Sequence, residues 1–168
     1  IDGKMVYGHD GFAGELGHTI AIDGGRPCGC GRKGCLEAYC SATGVARTAL
    51  ERLAQSDEPS LLRSVEKISS KDVYDAAKKG DKIALEIFDY TGYILGKAMA
   101  NFVAFSAPEA IVLFGGLARS KEFLDEPIKR GLNENVLGLW RDKVKVLYSA
   151  LKESDAAILG ASSLAWDL

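Results

Sequence analysis

Long hydrophobic stretches are absent from this 168-residue sequence, and no apolar run approaches the roughly 20 residues that a membrane-spanning helix needs. An excess of basic residues is also absent, since 21 Lys and Arg stand against 23 Asp and Glu. No basic patch therefore predicts direct contact with nucleic acid or with an anionic membrane. Neither a signal peptide nor an initiator Met opens the chain. Ile1 begins inside a strand-like segment, so we expect the natural N-terminus to lie elsewhere.

Cysteine is missing from most of the chain and concentrated in one short segment. The four cysteines are Cys28, Cys30, Cys35 and Cys40. A secreted disulfide scaffold spreads its cysteines so that the bridges close loops around the fold. Clustering with a histidine upstream instead favours reduced thiolates around a metal ion, and hence a cytoplasmic protein.

The spacing of these residues predicts a zinc site. The pattern His-x9-Cys-x-Cys-x4-Cys is formed by His18, Cys28, Cys30 and Cys35. Zinc prefers four tetrahedral nitrogen and sulfur ligands, and a site filled by three thiolates and one imidazole has no open position for water, so its role is structural. The alternative is a set of free buried thiols and a surface histidine. Cys40, beyond the loop, is predicted to be a small core residue.

Periodicity and capping signals predict a mixed α/β layer fold in which strands and helices alternate after an N-terminal hairpin. The predicted strands are Met5–Tyr7, Thr19–Ile22, Ala110–Phe114 and Lys143–Tyr148. The predicted helices are capped by Ser41 (to about Leu53), Ser70 (over Lys71–Lys79), Asp81 (to about Phe105), Ser120 (to about Leu132) and Asp155 (over Ala156–Trp166). Because Ala110–Phe114 is continuously apolar, it is expected to be buried on both faces.

Two motifs near the start of the chain resemble the signature of the ROK family of sugar kinases and repressors. Residues 14–18 read Gly-Glu-Leu-Gly-His, and residues 28–37 read Cys-Gly-Cys-Gly-Arg-Lys-Gly-Cys-Leu-Glu. Further along, Val112–Leu117 resembles the adenosine segment of that family, and Ala157–Ala161 resembles its C-terminal helix. The resemblance extends over essentially the whole chain.

The resemblance implies one lobe of a two-lobed protein. ROK kinases have the ribonuclease H-like ATPase fold that hexokinase, actin and Hsp70 share, and this chain is similar to the C-terminal lobe. Residues 1–40 would hold a strand hairpin and the zinc- and sugar-binding loop. Residues 41–168 would hold helices and strands with the adenosine-binding segment. The N-terminal lobe, with its first phosphate loop and catalytic Asp, is absent, as is the glycine-rich turn of the hairpin.

The resemblance also assigns roles to individual residues. Glu15 and Glu37 are expected to hydrogen-bond sugar hydroxyls, while His18 ligates zinc with one nitrogen and contacts the sugar with the other. Gly115 and Gly116 are expected to contact the nucleotide. The alternatives are that Glu15 is a solvated loop carboxylate, that Glu37 is a helix N-terminal charge favoured by the dipole, and that the glycine pair is a plain strand-to-helix turn. No catalytic residue is expected in this chain.

The implied function is ATP-dependent phosphorylation of a hexose, with Mg²⁺ accompanying the nucleotide and a homodimer as the assembly. Glucose is the default substrate, and fructose, mannose, N-acetylglucosamine and N-acetylmannosamine stay open. The main alternative is the sugar-sensing lobe of a ROK repressor, which would bind nucleic acid through a helix-turn-helix outside this chain. A third possibility is a zinc-stabilised interaction module without a small ligand.

Overall fold

The architecture comes from a computed structural model that describes residues 1, 3–151, 153–163 and 165. In chain order its helices and strands are α1 (Glu37–Cys40), α2 (Ala42–Gln55), α3 (Ser70–Ala77), α4 (Lys82–Ser106), β1 (Ala110–Leu113), α5 (Lys121–Asn135), β2 (Lys145–Tyr148) and α6 (Glu153–Ser163). Single 3₁₀ turns lie at Leu16–His18, Leu61–Ser64, Gly116–Ser120 and Gly138–Trp140. Among the described residues, no helix is long and apolar enough to cross a membrane.

The long helix α4 is the centre of the core and packs closely on α5. Its predicted cap is confirmed, since the Asp81 carboxylate accepts a hydrogen bond from the Ala84 N–H at 3.0 Å. A Cβ atom at Gly96 would lie 2.1 Å from the Ile128 carbonyl oxygen, so only glycine permits this separation of the two helices. The fully buried Phe88 belongs to the cluster that α4 forms with α2, α3 and α5.

The N-caps of α2 and α3 were predicted from sequence, one correctly and one with an error of a single residue. Ser41 caps α2 as predicted, by accepting from the Gly44 N–H at 3.0 Å. The prediction that Ser70 caps α3 was wrong by one residue, because Ser69 is the N-cap. Ser69 lies three residues before Asp72, and the two side chains satisfy each other's backbone N–H groups in a capping box. No residue of the required type lies three positions after Ser70.

The two strands are parallel neighbours, and their register pairs Ala110 with Lys145 and Leu113 with Tyr148. Ile111 and Val146 pack against the main core. Val112, on the opposite face, is 59% exposed. The prediction of burial on both faces was therefore wrong for the described part of the chain, where helices cover one face of this pair.

The predicted N-terminal hairpin is not formed by the described residues. Met5–Tyr7 has no strand partner there, and a strand needs a neighbour for its N–H and C=O groups. Thr19–Ile22 contributes one isolated antiparallel bridge, Ile20 to Cys35, instead of a strand. A short apolar segment after a turn suggested each strand, but such a segment carries no information about a partner.

Two of the predicted helix caps differ from the structure, although Ser120 does occupy the predicted N-cap position before α5. The Ser120 side chain makes no capping hydrogen bond, because α5 follows directly from the 3₁₀ turn Gly116–Ser120. The last helix begins at Glu153, so Asp155 lies inside it and is not its cap. The predicted end of that helix, Trp166, lies outside the described residues.

Candidate metal and ligand site

The loop that carries the predicted zinc ligands, residues 18–35 (the metal loop), folds back on itself through its own backbone hydrogen bonds. The Ala21 N–H donates to the Gly34 carbonyl at 2.8 Å, and the Gly34 N–H donates to the Arg26 carbonyl at 2.8 Å. At the tip, the Cys28 N–H donates to the Arg32 carbonyl at 2.9 Å. Gly34 has φ +81°, and a Cβ there would lie 1.8 Å from the Ile22 carbonyl oxygen, which excludes any other residue. These backbone hydrogen bonds hold the segments that carry the cysteines close together.

The structure brings together all four residues predicted to bind zinc. Ligand atoms of His18, Cys28, Cys30 and Cys35 lie within 4.8 Å of one another. The Sγ atoms of Cys30 and Cys35 are 3.6 Å apart, and the Cys28 Sγ is 3.7 Å from the His18 Nδ1. Tetrahedral zinc with typical bond lengths separates two sulfurs by about 3.8 Å and sulfur from nitrogen by about 3.6 Å. The donor types and their spacing fit that ion.

The thiols lie in unequal electrostatic surroundings. Burial, together with contacts to the other two thiols, raises the pKa of the Cys35 thiol to about 11. The N–H of Arg32 holds the pKa of the Cys30 thiol below its ordinary value. Because cysteine binds a metal ion as its thiolate, a cation that binds here has to displace the proton of the Cys35 thiol.

The predicted sugar-binding residues surround the imidazole of His18. Its Nδ1 lies 3.3 Å from Glu37 Oε2 and faces the thiols, whereas its Nε2 lies 3.8 Å from Glu15 Oε2. The Glu37 side chain is 50% exposed and the Glu15 side chain 70% exposed, so both carboxylates are accessible to a ligand. The His18 ring thus has a carboxylate acceptor near each nitrogen: Glu37 on the side of the thiols and Glu15 on the side of Nε2.

Sequence reasoning missed Arg26, which lies two residues before the first cysteine. Its side chain is only 6% exposed, and its guanidinium donates to the Glu51 carboxylate of α2 at 2.5 Å. Hydrogen bonding to Arg26 holds the pKa of Glu51 below its ordinary value, against the opposing effect of burial. The sequence offers no clear signal for this role, because the same loop also carries Arg32 and Lys33.

A second candidate site lies where β1 ends. Gly115 has φ +105° and begins the turn Gly116–Ser120. A cavity of about 400 Å³ opens there, with Gly116 but not Gly115 among its lining residues. Its walls are formed by Gly116, Leu117, Arg119 and Ser120 on one side and by Ser70, Lys71, Tyr74 and Asp75 of α3 on the other. Sequence reasoning did not associate α3 with this site, because only tertiary packing brings it there.

Comparison with known proteins identifies the family. The chain matches the ROK family model over residues 1–167 and belongs to that family, as its motifs indicated. It is 37% identical over 167 residues to a glucokinase of Halalkalibacterium halodurans, a match covering 97% of this chain and 50% of the glucokinase. The chain therefore spans about half the length of this relative.

Two solved structures show the same fold. A ROK family glucokinase from Streptomyces griseus in complex with glucose and AMPPNP has a TM-score of 0.84 at 31% identity, covering 96% of this chain and 54% of that one. A ROK family transcriptional regulator, a homolog of the E. coli MLC protein, has a TM-score of 0.81 at 33% identity, covering 91% of this chain and 38% of that one. Both functional branches of the family thus include relatives of this chain.

Proposed function

We propose that the whole protein is a kinase that transfers a phosphoryl group from ATP, bound with Mg²⁺, to a hexose, and that these residues form its C-terminal lobe. In this proposal residues 1–40 supply the metal and sugar site, and residues 41–168 supply part of the nucleotide site. The observation that carries the proposal is the placement of Glu15 and Glu37 around His18, beside the thiol cluster. Similarity to glucokinases supports the reaction.

The metal role in this proposal is structural. Three thiolates and the Nδ1 of His18 would hold one Zn²⁺, which supplies a fixed anchor without an open coordination position. An imidazole held through Nδ1 has its tautomer and ring orientation decided, so its Nε2–H points to the ligand side as a hydrogen-bond donor. The same anchor fixes Cys35, and the chain reaches Glu37 two residues later.

The sugar would be held mainly by charge-assisted hydrogen bonds. Carboxylates accept hydrogen bonds from hydroxyl groups, and a pair of them around an imidazole donor can address neighbouring hydroxyls of a pyranose ring. No catalytic residue is assigned to this chain. The carboxylate that accepts the proton of the attacking hydroxyl is proposed to lie in the other half of the protein, because transfer requires base, hydroxyl and γ-phosphate held in line.

The nucleotide would occupy the cavity beside Gly116. Its volume of about 400 Å³ lies within the usual range for small-ligand pockets. Leu117 and Tyr74 offer apolar walls for a base, and Arg119 brings positive charge, while Lys71 is paired with Asp75 of the same lining. The left-handed backbone at Gly115 lets the chain turn sharply at the carboxyl end of β1, where ligands bind in open α/β sheets.

The experiment that tests the proposal is a coupled assay of ADP release by the whole protein with a hexose panel. The panel comprises glucose, fructose, mannose, N-acetylglucosamine and N-acetylmannosamine. Glu15→Gln should raise the KM for the preferred sugar roughly tenfold to a hundredfold, since a hydrogen bond to a charged group is worth about 1.5–3 kcal/mol. Glu126→Gln is the control, because that carboxylate is 89% exposed on α5. Unchanged sugar affinity in Glu15→Gln would remove Glu15 from the site.

A second candidate function is the sugar-sensing part of a transcriptional repressor, which the 33% identity to a ROK transcriptional regulator favours. The metal loop would serve both functions, so it does not separate them. The same assay does: a repressor binds the sugar without releasing ADP and alters its affinity for operator DNA when the sugar is added. A zinc module without any small ligand would show no thermal shift with any hexose.

We also propose that the protein is a cytoplasmic homodimer. Four reduced cysteines support a reducing compartment. The apolar content of 47% is compatible with a buried partner surface. Light scattering on the whole protein tests the assembly, and a monomer at tens of micromolar would end that part of the proposal.

A further inference from the structure

Arg26 connects three parts of the site through one buried side chain. Its Nη1 donates to the Ala38 carbonyl of α1 at 2.9 Å and to the Gly44 carbonyl of α2 at 3.3 Å. Its Nη2 donates to the Thr48 Oγ1 at 3.0 Å, in addition to the ion pair with Glu51. The metal loop is thereby attached to both helices that follow it.

The aromatic ring of Tyr39 completes this network. It lies 4.5 Å from the guanidinium carbon, a cation–π contact. The tyrosine hydroxyl accepts a hydrogen bond from the Arg26 backbone N–H at 2.8 Å. One residue of α1 thus holds both the main chain and the side chain of Arg26.

Burial of a guanidinium group costs desolvation free energy that an apolar side chain at the same place would not. An ion pair inside a protein is weak evidence for stability, because desolvation cancels most of the attraction, and apolar residues often replace such pairs without loss. A guanidinium group does fix the orientation of its partners, because its N–H donors lie in one rigid plane and point at fixed angles. In this protein those directions are all used, on two carbonyls, a hydroxyl and a carboxylate.

We propose that Arg26 is the positioning residue that sets the distance between Glu37 and His18. The carbonyl that it binds belongs to Ala38, the residue after Glu37, and Arg26 itself lies two residues before Cys28. A shift of Glu37 relative to the metal loop therefore breaks the Arg26–Ala38 bond. This inference rests on the proposed function, because it assigns Arg26 a role in the proposed sugar site and no contact with the sugar.

The test uses the whole protein and measures sugar binding by calorimetry alongside metal content. Arg26→Lys keeps one positive charge but cannot reach two carbonyls, Thr48 and Glu51 together. We expect stoichiometric metal and about tenfold weaker binding of the preferred hexose. Arg130→Lys is the control, since Arg130 pairs with Asp89 from a half-exposed position on α5. It should bind the hexose like the unmodified protein.

A double-mutant cycle separates positioning from general destabilisation. Glu37→Gln alone should weaken hexose binding, and Arg26→Lys should add little in that background, because both changes act on one interaction. If Arg26→Lys weakens binding by the same factor with and without Glu37→Gln, the positioning role is wrong. Unchanged affinity in folded, metal-loaded Arg26→Lys also overturns it. If Glu37→Gln itself has no effect, the proposed sugar site fails instead.

A milder pair of variants applies if Arg26→Lys does not fold. Glu51→Gln keeps an acceptor but removes the counter-charge of the buried guanidinium, so hexose binding should weaken in the same direction. Arg130→Gln removes an exposed ion pair with Asp89, between α5 and α4, and should leave binding unchanged. Equal effects of these two variants, or none in Glu51→Gln, would contradict the proposal.

Discussion

Replacing Cys30 by Ser should remove one ligand from a site that the loop otherwise keeps in place. The Cys30 Sγ is exposed and lies 3.6 Å from the Cys35 Sγ, while the backbone bonds that close the loop do not involve its side chain. Structural zinc contributes on the order of 10 kcal/mol in small domains. Loss of one of four ligands should therefore cost roughly 3 kcal/mol, about a hundredfold in metal affinity.

Cys40→Ser is the matched control for that variant. Cys40 lies beyond the loop, with its Sγ 3.5 Å from the Thr91 carbonyl oxygen and its pKa raised to about 12 by burial. The change should reduce stability slightly and leave metal binding intact. Competition with a chromophoric chelator gives the two metal affinities, and elemental analysis gives the stoichiometry. Equal metal affinity in both variants would refute the assignment of Cys30 as a ligand.

The remaining predictions concern the helix pair, a cap and the isolated chain. Gly96→Ala should lower the free energy of unfolding by several kcal/mol, because the new Cβ would meet the Ile128 backbone. Gly160→Ala is the control: a Cβ there has nothing within 4 Å, so the change should be neutral or stabilising by up to about 1 kcal/mol. Urea unfolding compares the two variants. Burial acts to raise the pKa of Asp81, but the hydrogen bonds from backbone N–H groups to its carboxylate lower the pKa by a larger amount. The net pKa shift is therefore downward. The stabilisation that Asp81→Ala removes is about 1 kcal/mol at neutral pH. It should shrink as the pH falls below the ordinary aspartate pKa of 3.8 and through the lower folded-state pKa, so unfolding measurements should show a smaller difference between the two proteins at pH 3 than at pH 7. The 168-residue chain alone should fold and hold zinc yet phosphorylate nothing, and sugar-dependent ADP release by it would place the base among these residues.

Local chemistry made the His18–cysteine cluster and several helices predictable from the sequence. Ligation depends on residue type and short spacing, so His18 and the three cysteines of the loop could be identified without a fold. The caps Ser41 and Asp81 were predicted for the same reason, since each satisfies a backbone N–H three residues away. The error at Ser70 came from a choice between adjacent serines that the capping box with Asp72 decides.

Tertiary structure decided everything that depends on a distant partner. Met5–Tyr7 has an apolar pattern but no paired strand among the described residues, and Val112 is exposed because helices cover only one face of its strand pair. The approach of α3 to Gly116 and the attachment of Arg26 to α1 and α2 are contacts across the fold. Spacing along the chain determines which groups can share a metal ion, whereas pairing, burial and the walls of a cavity depend on packing between segments far apart in sequence.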